Sequence, residues 1–158
     1  KIALAVASEY GRSLTQAIMD ALAEKDIAPD VEVCVDDVAA GSPAPWQIYR
    51  CMETSGVYPL NAVVFFGDTL ADVQAGLDAG VWSVGIARSG DLLGLDVERI
   101  YELPEVDLLS KLKKARTRLL EAGAHYVIDS IEDCPQVIRD INRRLESKPH
   151  RRPKPSKR

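Results

Sequence analysis

Cysteine and histidine are scarce. The 158 residues hold three cysteines, Cys34, Cys51 and Cys134, and two histidines, His125 and His150. Three thiols at these spacings build no disulfide framework, and the histidines complete no zinc pattern. Buried free thiols in a reducing cytosol are the expected state. A bound metal is then expected to be held by carboxylates, which selects a hard ion such as magnesium. No apolar run approaches the length of a membrane span. No charged segment followed by an apolar stretch opens the chain, so no secretory leader is expected. The expected compartment is the cytoplasm, and no membrane partner is expected. The first residue is Lys1 rather than Met, as expected of a processed chain or a piece of a longer one.

What is present is ordinary globular material. Hydrophobic residues make up 46% and charged residues 28%, which excludes disorder over the whole chain and fits one domain with a core. Charge is unevenly spread. The last eleven residues, KPHRRPKPSKR, carry six basic side chains and three prolines. The total is −4, so setting those six positive charges aside leaves −10 on residues 1–147. The domain is therefore expected to span 1–147, with 148–158 a disordered basic tail. Such a tail is a solvated end or a contact for an acidic surface. No stacking aromatic is interleaved in it, so no nucleic-acid partner is expected.

Strand and helix signals alternate along the body. Lys1–Ala7 is a near-continuous apolar run, as in a strand buried on both faces. Ser13 is placed to cap a helix over Leu14–Lys25, with Leu14, Ile18, Ala21 and Leu22 on one face. Val31–Val35 reads as a short strand. Pro45–Thr54 reads as a helix, with proline in the first turn and Gly56 beyond its end. Ala62–Gly67 is the clearest strand, Leu70–Ala79 a helix stopped by Gly80, and Trp82–Ala87 a strand. Ser110–Ala122 reads as a helix ended by Gly123, His125–Ile128 as a strand, and Ile131–Leu145 as the last helix. This alternation predicts an α/β fold, a Rossmann-like parallel sheet with helices on both faces.

Ligands of such sheets bind beyond the carboxyl ends of the strands. That singles out Ser8 and Glu9, Asp36 and Asp37, Asp68 and Thr69, and Arg88 and Ser89. The sharpest feature is VVFFGDTLAD, Val63 to Asp72. A strand ends in Gly67, Asp68 follows it, and Asp72 lies one helical turn further, so both carboxylates can face one point. Two close carboxylates repel, and a divalent cation relieves that repulsion. The competing reading is a helix cap with a favourable first-turn charge.

The segment Gly67-Asp68-Thr69-Leu70-Ala71-Asp72 resembles the acidic motif of the haloacid dehalogenase superfamily. Pro29–Pro59, Ala75–Leu95 and Ala122–Ile131 are similar to the matching stretches of the phosphonoacetaldehyde hydrolase family. The resemblance implies a haloacid dehalogenase-like core, a magnesium cofactor and a small phosphonate substrate. It implies cleavage of the carbon–phosphorus bond of phosphonoacetaldehyde to acetaldehyde and phosphate. In that family a cap-domain lysine forms a Schiff base with the substrate, which makes carbon a tolerable leaving group, and an aspartate then attacks phosphorus. Carried over, Asp68 is the metal ligand, Asp72 the second acid, and Ser8 a phosphate-binding hydroxyl. Ser42 falls where the family has a phosphate-binding arginine, and it cannot supply that charge.

The resemblance also leaves parts unmatched. No Asp-x-x-Gly-Thr stretch for the nucleophile occurs in the chain, and neither the first strand nor the lysine-bearing cap has a counterpart. The expectation is therefore a truncated, inactive chain. The alternatives are a non-catalytic binding or assembly module with the same fold, and a general phosphatase of the superfamily. In the resembled fold the unmatched strand lies between those at Lys1–Ala7 and Ala62–Gly67. The expected results are homo-oligomers through open strand edges, or direct pairing of the two neighbours.

Overall fold

A computed structural model describes residues 2–88, 91–95 and 97–147. The predicted basic tail, residues 148–158, and Ser89 lie outside the described residues. Among these residues five short strands form two parallel sheets. β1 (Ala5–Ser8) pairs with β2 (Val31–Cys34), Ala5 opposite Val31 through Ser8 opposite Cys34. β3 (Val64–Gly67), β4 (Trp82–Ile86) and β5 (Tyr126–Ile128) form the other, with β4 central. Its register sets Val64 against Trp82 and Val84 against Tyr126. Parallel neighbours need crossovers. These are α1 (Arg12–Ala23), α2 (Trp46–Ser55), α3 (Leu70–Ala79), α4 (Val97–Glu102) and α5 (Glu105–Glu121), with α6 (Cys134–Ser147) last. No described helix is long and apolar enough to cross a membrane.

β4 shows why helices cover both faces. Side chains of a strand alternate sides. Trp82, Val84 and Ile86 pack with Val137 and Ile141 of α6. Ser83 and Gly85 point the other way. The Ser83 hydroxyl donates to the Val73 carbonyl of α3 at 2.9 Å. Leu119 of α5 lies directly over Gly85, where an added Cβ would come within 3.0 Å of it. Parallel strands with helices on both faces, an α/β arrangement, are what this produces.

Several expectations needed correction. β1 is not buried on both faces: Ile2 and Leu4 are exposed, and the strand starts only at Ala5. Its neighbour is β2 alone, and no pairing joins β1 to β3 among the described residues. Direct closure between those two strands therefore does not occur. Ser13 does not cap α1. Gly11 is the N-cap, and the carboxylate of Asp36 accepts the Arg12 amide at 2.7 Å from across the fold. The buried face of α1 is also shifted, with Thr15 and Met19 inside and Leu14 exposed. Thr15 is drawn in because its hydroxyl lies 2.9 Å from that of Ser8 and 3.1 Å from the Tyr10 carbonyl. α5 begins earlier than Ser110, behind Pro104 and with Glu105 and Asp107 in its first turn. α4 was not foreseen. All three thiols are free, but only Cys34 and Cys51 are buried. Burial pushes the Cys51 thiol up to about 11.

The turn after β2 is held by one carboxylate. Asp37 Oδ2 accepts the Cys34 amide at 2.9 Å, and its other oxygen pairs with the Arg12 guanidinium. The Cys34 amide first, then the Cys34 thiol and Arg12, hold the Asp37 carboxyl below the ordinary carboxylate range. A lowered pKa stabilises the folded state above the unfolded value, about 3.9, and that stabilisation fades as pH falls through the folded value. Asp37→Asn should therefore destabilise the chain at neutral pH by about 0.2–1 kcal/mol, the usual worth of a solvent-exposed ion pair. The gap between variant and parent should narrow as denaturant unfolding is repeated below pH about 4. A gap that stays constant would mean that the charge of Asp37 plays no part.

Candidate functional site

The carboxyl ends of β1 and β3 carry the candidates. β3 ends at Gly67 because no side chain fits there: an added Cβ would lie 2.2 Å from the Cβ of Asp72. That close approach lets the chain turn straight from strand into α3. Thr69 is the N-cap of α3, and its hydroxyl accepts the Asp72 amide at 3.0 Å. In return Asp72 Oδ2 accepts the Thr69 amide at 3.1 Å and its hydroxyl at 2.7 Å, a reciprocal capping box. The capping reading of Asp72 is thus realised in the structure.

The remaining oxygen of Asp72 faces the other sheet. Ser42 donates its hydroxyl to Asp72 Oδ1 at 2.9 Å, while its amide donates to Glu9 Oε1 at 3.0 Å. Ser42 therefore links the residue after β1 to the first turn of α3. One helix turn away from this loop, Gln47 of α2 is buried and donates its amide to the Ser8 carbonyl at 2.7 Å. The Ser8 hydroxyl accepts the Tyr10 amide at 3.2 Å and touches Thr15. Ser8, Glu9, Ser42 and Asp72 are in this way brought to one end of the fold. Asp68 joins them through Asp72.

Asp68 is half-buried, and its carboxyl is pushed up first by burial and next by the charge of Asp72. Its own amide and that of Asp91 oppose the shift, and the Asp91 charge adds to it. Sequence reasoning missed three contributors. Asp91 lies in the loop after β4, inside the Ala75–Leu95 stretch, where no spacing singles it out. Gln47 and Thr15 act through contacts between residues 39 and 7 positions apart in the chain. Arg88 is exposed, and its guanidinium forms no ion pair with Asp68 or Asp72. Asp36 and Asp37, also at a strand end, serve α1 and the turn after β2 instead.

The donor set suits a hard divalent ion. It consists of oxygens, and Asp68 sits where an added cation would relieve both a buried charge and its repulsion by Asp72. Asp72 accepts three hydrogen bonds already, which leaves it less free than Asp68 to ligate an ion. No three His, Cys, Asp or Glu side chains converge to hold a metal among the described residues. Gly67→Ala should drive Asp72 off Thr69 and Ser42 and cost about 1–3 kcal/mol in denaturant unfolding. An unchanged midpoint would show that the contact can relax freely.

Comparison with known proteins places the chain in a family. Residues 1–80 match the family described as haloacid dehalogenase-like hydrolase. The chain is 38% identical over 141 residues to a phosphonoacetaldehyde hydrolase of Syntrophobacter fumaroxidans, covering 89% of this chain and 51% of that protein. It is 39% identical over 136 residues to a phosphonoacetaldehyde hydrolase of Nitratidesulfovibrio vulgaris, covering 86% and 49%. The crystal structure of a phosphonoacetaldehyde hydrolase-like protein from Oleispira antarctica superposes with a TM-score of 0.89 at 36% identity, over 92% of this chain and 53% of that one. The chain spans about half the length of the curated relatives it matches.

Proposed function

Because the chain belongs to the haloacid dehalogenase-like hydrolase family, we propose that it provides the magnesium- and phosphate-holding side of a site that splits the carbon–phosphorus bond of phosphonoacetaldehyde. The observation that carries this reading is the run of contacts from Glu9, beside Ser8, through Ser42 to Asp72, beside Asp68. It draws a hydroxyl and two carboxylates from separate sheets to one end of parallel strands, where such folds bind ligands. The identity to named phosphonoacetaldehyde hydrolases supports the choice of substrate.

Each residue then has a defined task. Magnesium, when bound, supplies positive charge that neutralises the phosphoryl oxygens. Asp68 offers it a carboxylate. Asp72 is held by Thr69 and Ser42 and keeps a second negative charge beside Asp68. The Ser8 hydroxyl, which accepts the Tyr10 amide and shares a hydrogen bond with the Thr15 hydroxyl, is the phosphate-facing hydroxyl of this reading. Ser42 contributes a neutral hydroxyl to Asp72 where the resembled family contributes a cation to phosphate. The attacking carboxylate and the imine-forming lysine of the resembled mechanism correspond to none of these 158 residues.

Two measurements test the reading. Magnesium should raise the thermal midpoint of the chain modestly, and Asp68→Ala should flatten that response. Identical responses in parent and variant would remove the metal assignment. The purified 158-residue chain should release no phosphate from phosphonoacetaldehyde above background, since the nucleophile motif of the resembled family has no match in it. Robust turnover would show that the division of labour is wrong.

A further inference from the structure

The loop before α2 meets the residue that follows β1 through one carboxylate. Glu9 Oε1 accepts the Ser42 amide at 3.0 Å. Its other oxygen lies against the bare Cα of Gly41, where an added Cβ would fall 2.2 Å from Oε2 and 3.0 Å from the carboxyl carbon. An ordinary side chain at position 41 would therefore displace the carboxylate. The Gly41 carbonyl accepts the Ala44 amide at 3.0 Å, which folds residues 41–44 into a tight turn and leaves the Ser42 amide for a partner outside it. No cation accounts for the position of Glu9. It is exposed and forms no ion pair among the described residues. A backbone N–H beside a glycine is a donor that an oxyanion can approach closely, and a charged acceptor strengthens such a bond. Gly41 and Ser42 thus form a seat for an anion, and the anion in it is the protein's own.

The seat adjoins the candidate site. Glu9 follows Ser8 directly, and the same Ser42 gives its hydroxyl to Asp72. We propose that Glu9 is a specificity-determining residue of this site, a built-in competitor whose carboxylate fills the seat at Gly41 and Ser42 and disfavours a dianionic phosphoryl group there. The inference rests on the phosphate-holding reading given above and deepens it. A phosphoryl oxygen reaches the Ser42 amide only when Glu9 swings into solvent, and the exposure of Glu9 leaves that path open. After it swings, its charge still stands next to Ser8 and repels a second anion. The loop thus keeps its shape when empty by borrowing a carboxylate, at the expense of affinity for the ligand that the carboxylate imitates.

Titration of the full 158-residue chain with inorganic phosphate in magnesium buffer, followed at the Ser42 amide by NMR, tests this. The parent should bind weakly. Glu9→Gln keeps an oxygen for the Ser42 amide but removes the charge, and should bind phosphate about tenfold more tightly at low salt. That advantage should shrink as salt is raised, because screening acts on charge and not on shape. Glu9→Ala should change affinity in the same direction, and if it unfolds, Glu9→Gln still decides the matter. A Glu9→Gln chain that binds phosphate no better than the parent would overturn the proposal, as would a gain indifferent to salt. So would a Glu9→Ala chain that binds more weakly than the parent, since Glu9 would then be a strut for the loop. Absence of phosphate binding in all three chains would overturn it too. If their Asp68-dependent response to magnesium persists, this proposal alone fails, and if that response is absent as well, the reading of the site fails with it.

Discussion

Ile48 and Cys51 sit about one turn apart on α2, yet they pack on different sheets. Ile48 joins Ala75, Ala79 and Val81 with Val63 and Phe65, on the three-stranded side. Cys51 joins Val31, Val33 and Ala7, on the two-stranded side. With no backbone pairing between β1 and β3 among the described residues, this helix supplies the packing that a continuous ladder would otherwise supply. Side chains close-packed in a core resist displacement. The spacing between the end of β1 and the end of β3, and so between Ser8 and Asp68, is set by how Ile48 and Cys51 seat. Gln47, between them and Trp46, fixes the height of β1 through its bond to the Ser8 carbonyl.

The parts of the fold legible in the sequence are those whose signals are local. α3 runs from Leu70 to Ala79 as read, because Thr69 and Asp72 close one end and Gly80, at φ 74°, closes the other. α2 is similar, with Pro45 before it and Gly56 at φ 65° after it. Where distant residues decide, local reading fails. The start of α1 depends on Asp36, and its buried face on a hydroxyl contact to Ser8. The apolar run at Lys1–Ala7 suggested burial, but burial needs a neighbour on each side, and among the described residues β1 has one.

The candidate site divides in the same way. The spacing of Asp68 and Asp72 was visible because one helical turn separates them. It also left two readings of Asp72 open, cap or acid of the site, and the structure puts it in the capping box of Thr69 while turning its other oxygen toward Ser42, an arrangement compatible with both. The contact between Ser42 and Asp72 spans 30 residues and carries no motif. Asp91, whose amide steadies Asp68, lies on a loop whose course the sequence does not dictate.

The capping box of α3 has a consequence for how such a chain drifts under mutation. The carboxylate that closes the helix is the one that stands beside Asp68, and the glycine that lets it approach has no room for any side chain. Loss of either residue would be felt first as an unstable protein and only second as an altered site. Selection for folding alone would therefore preserve Gly67 and Asp72, even in a lineage that had ceased to use the site, whereas Asp68, whose charge the fold disfavours, would have no such protection.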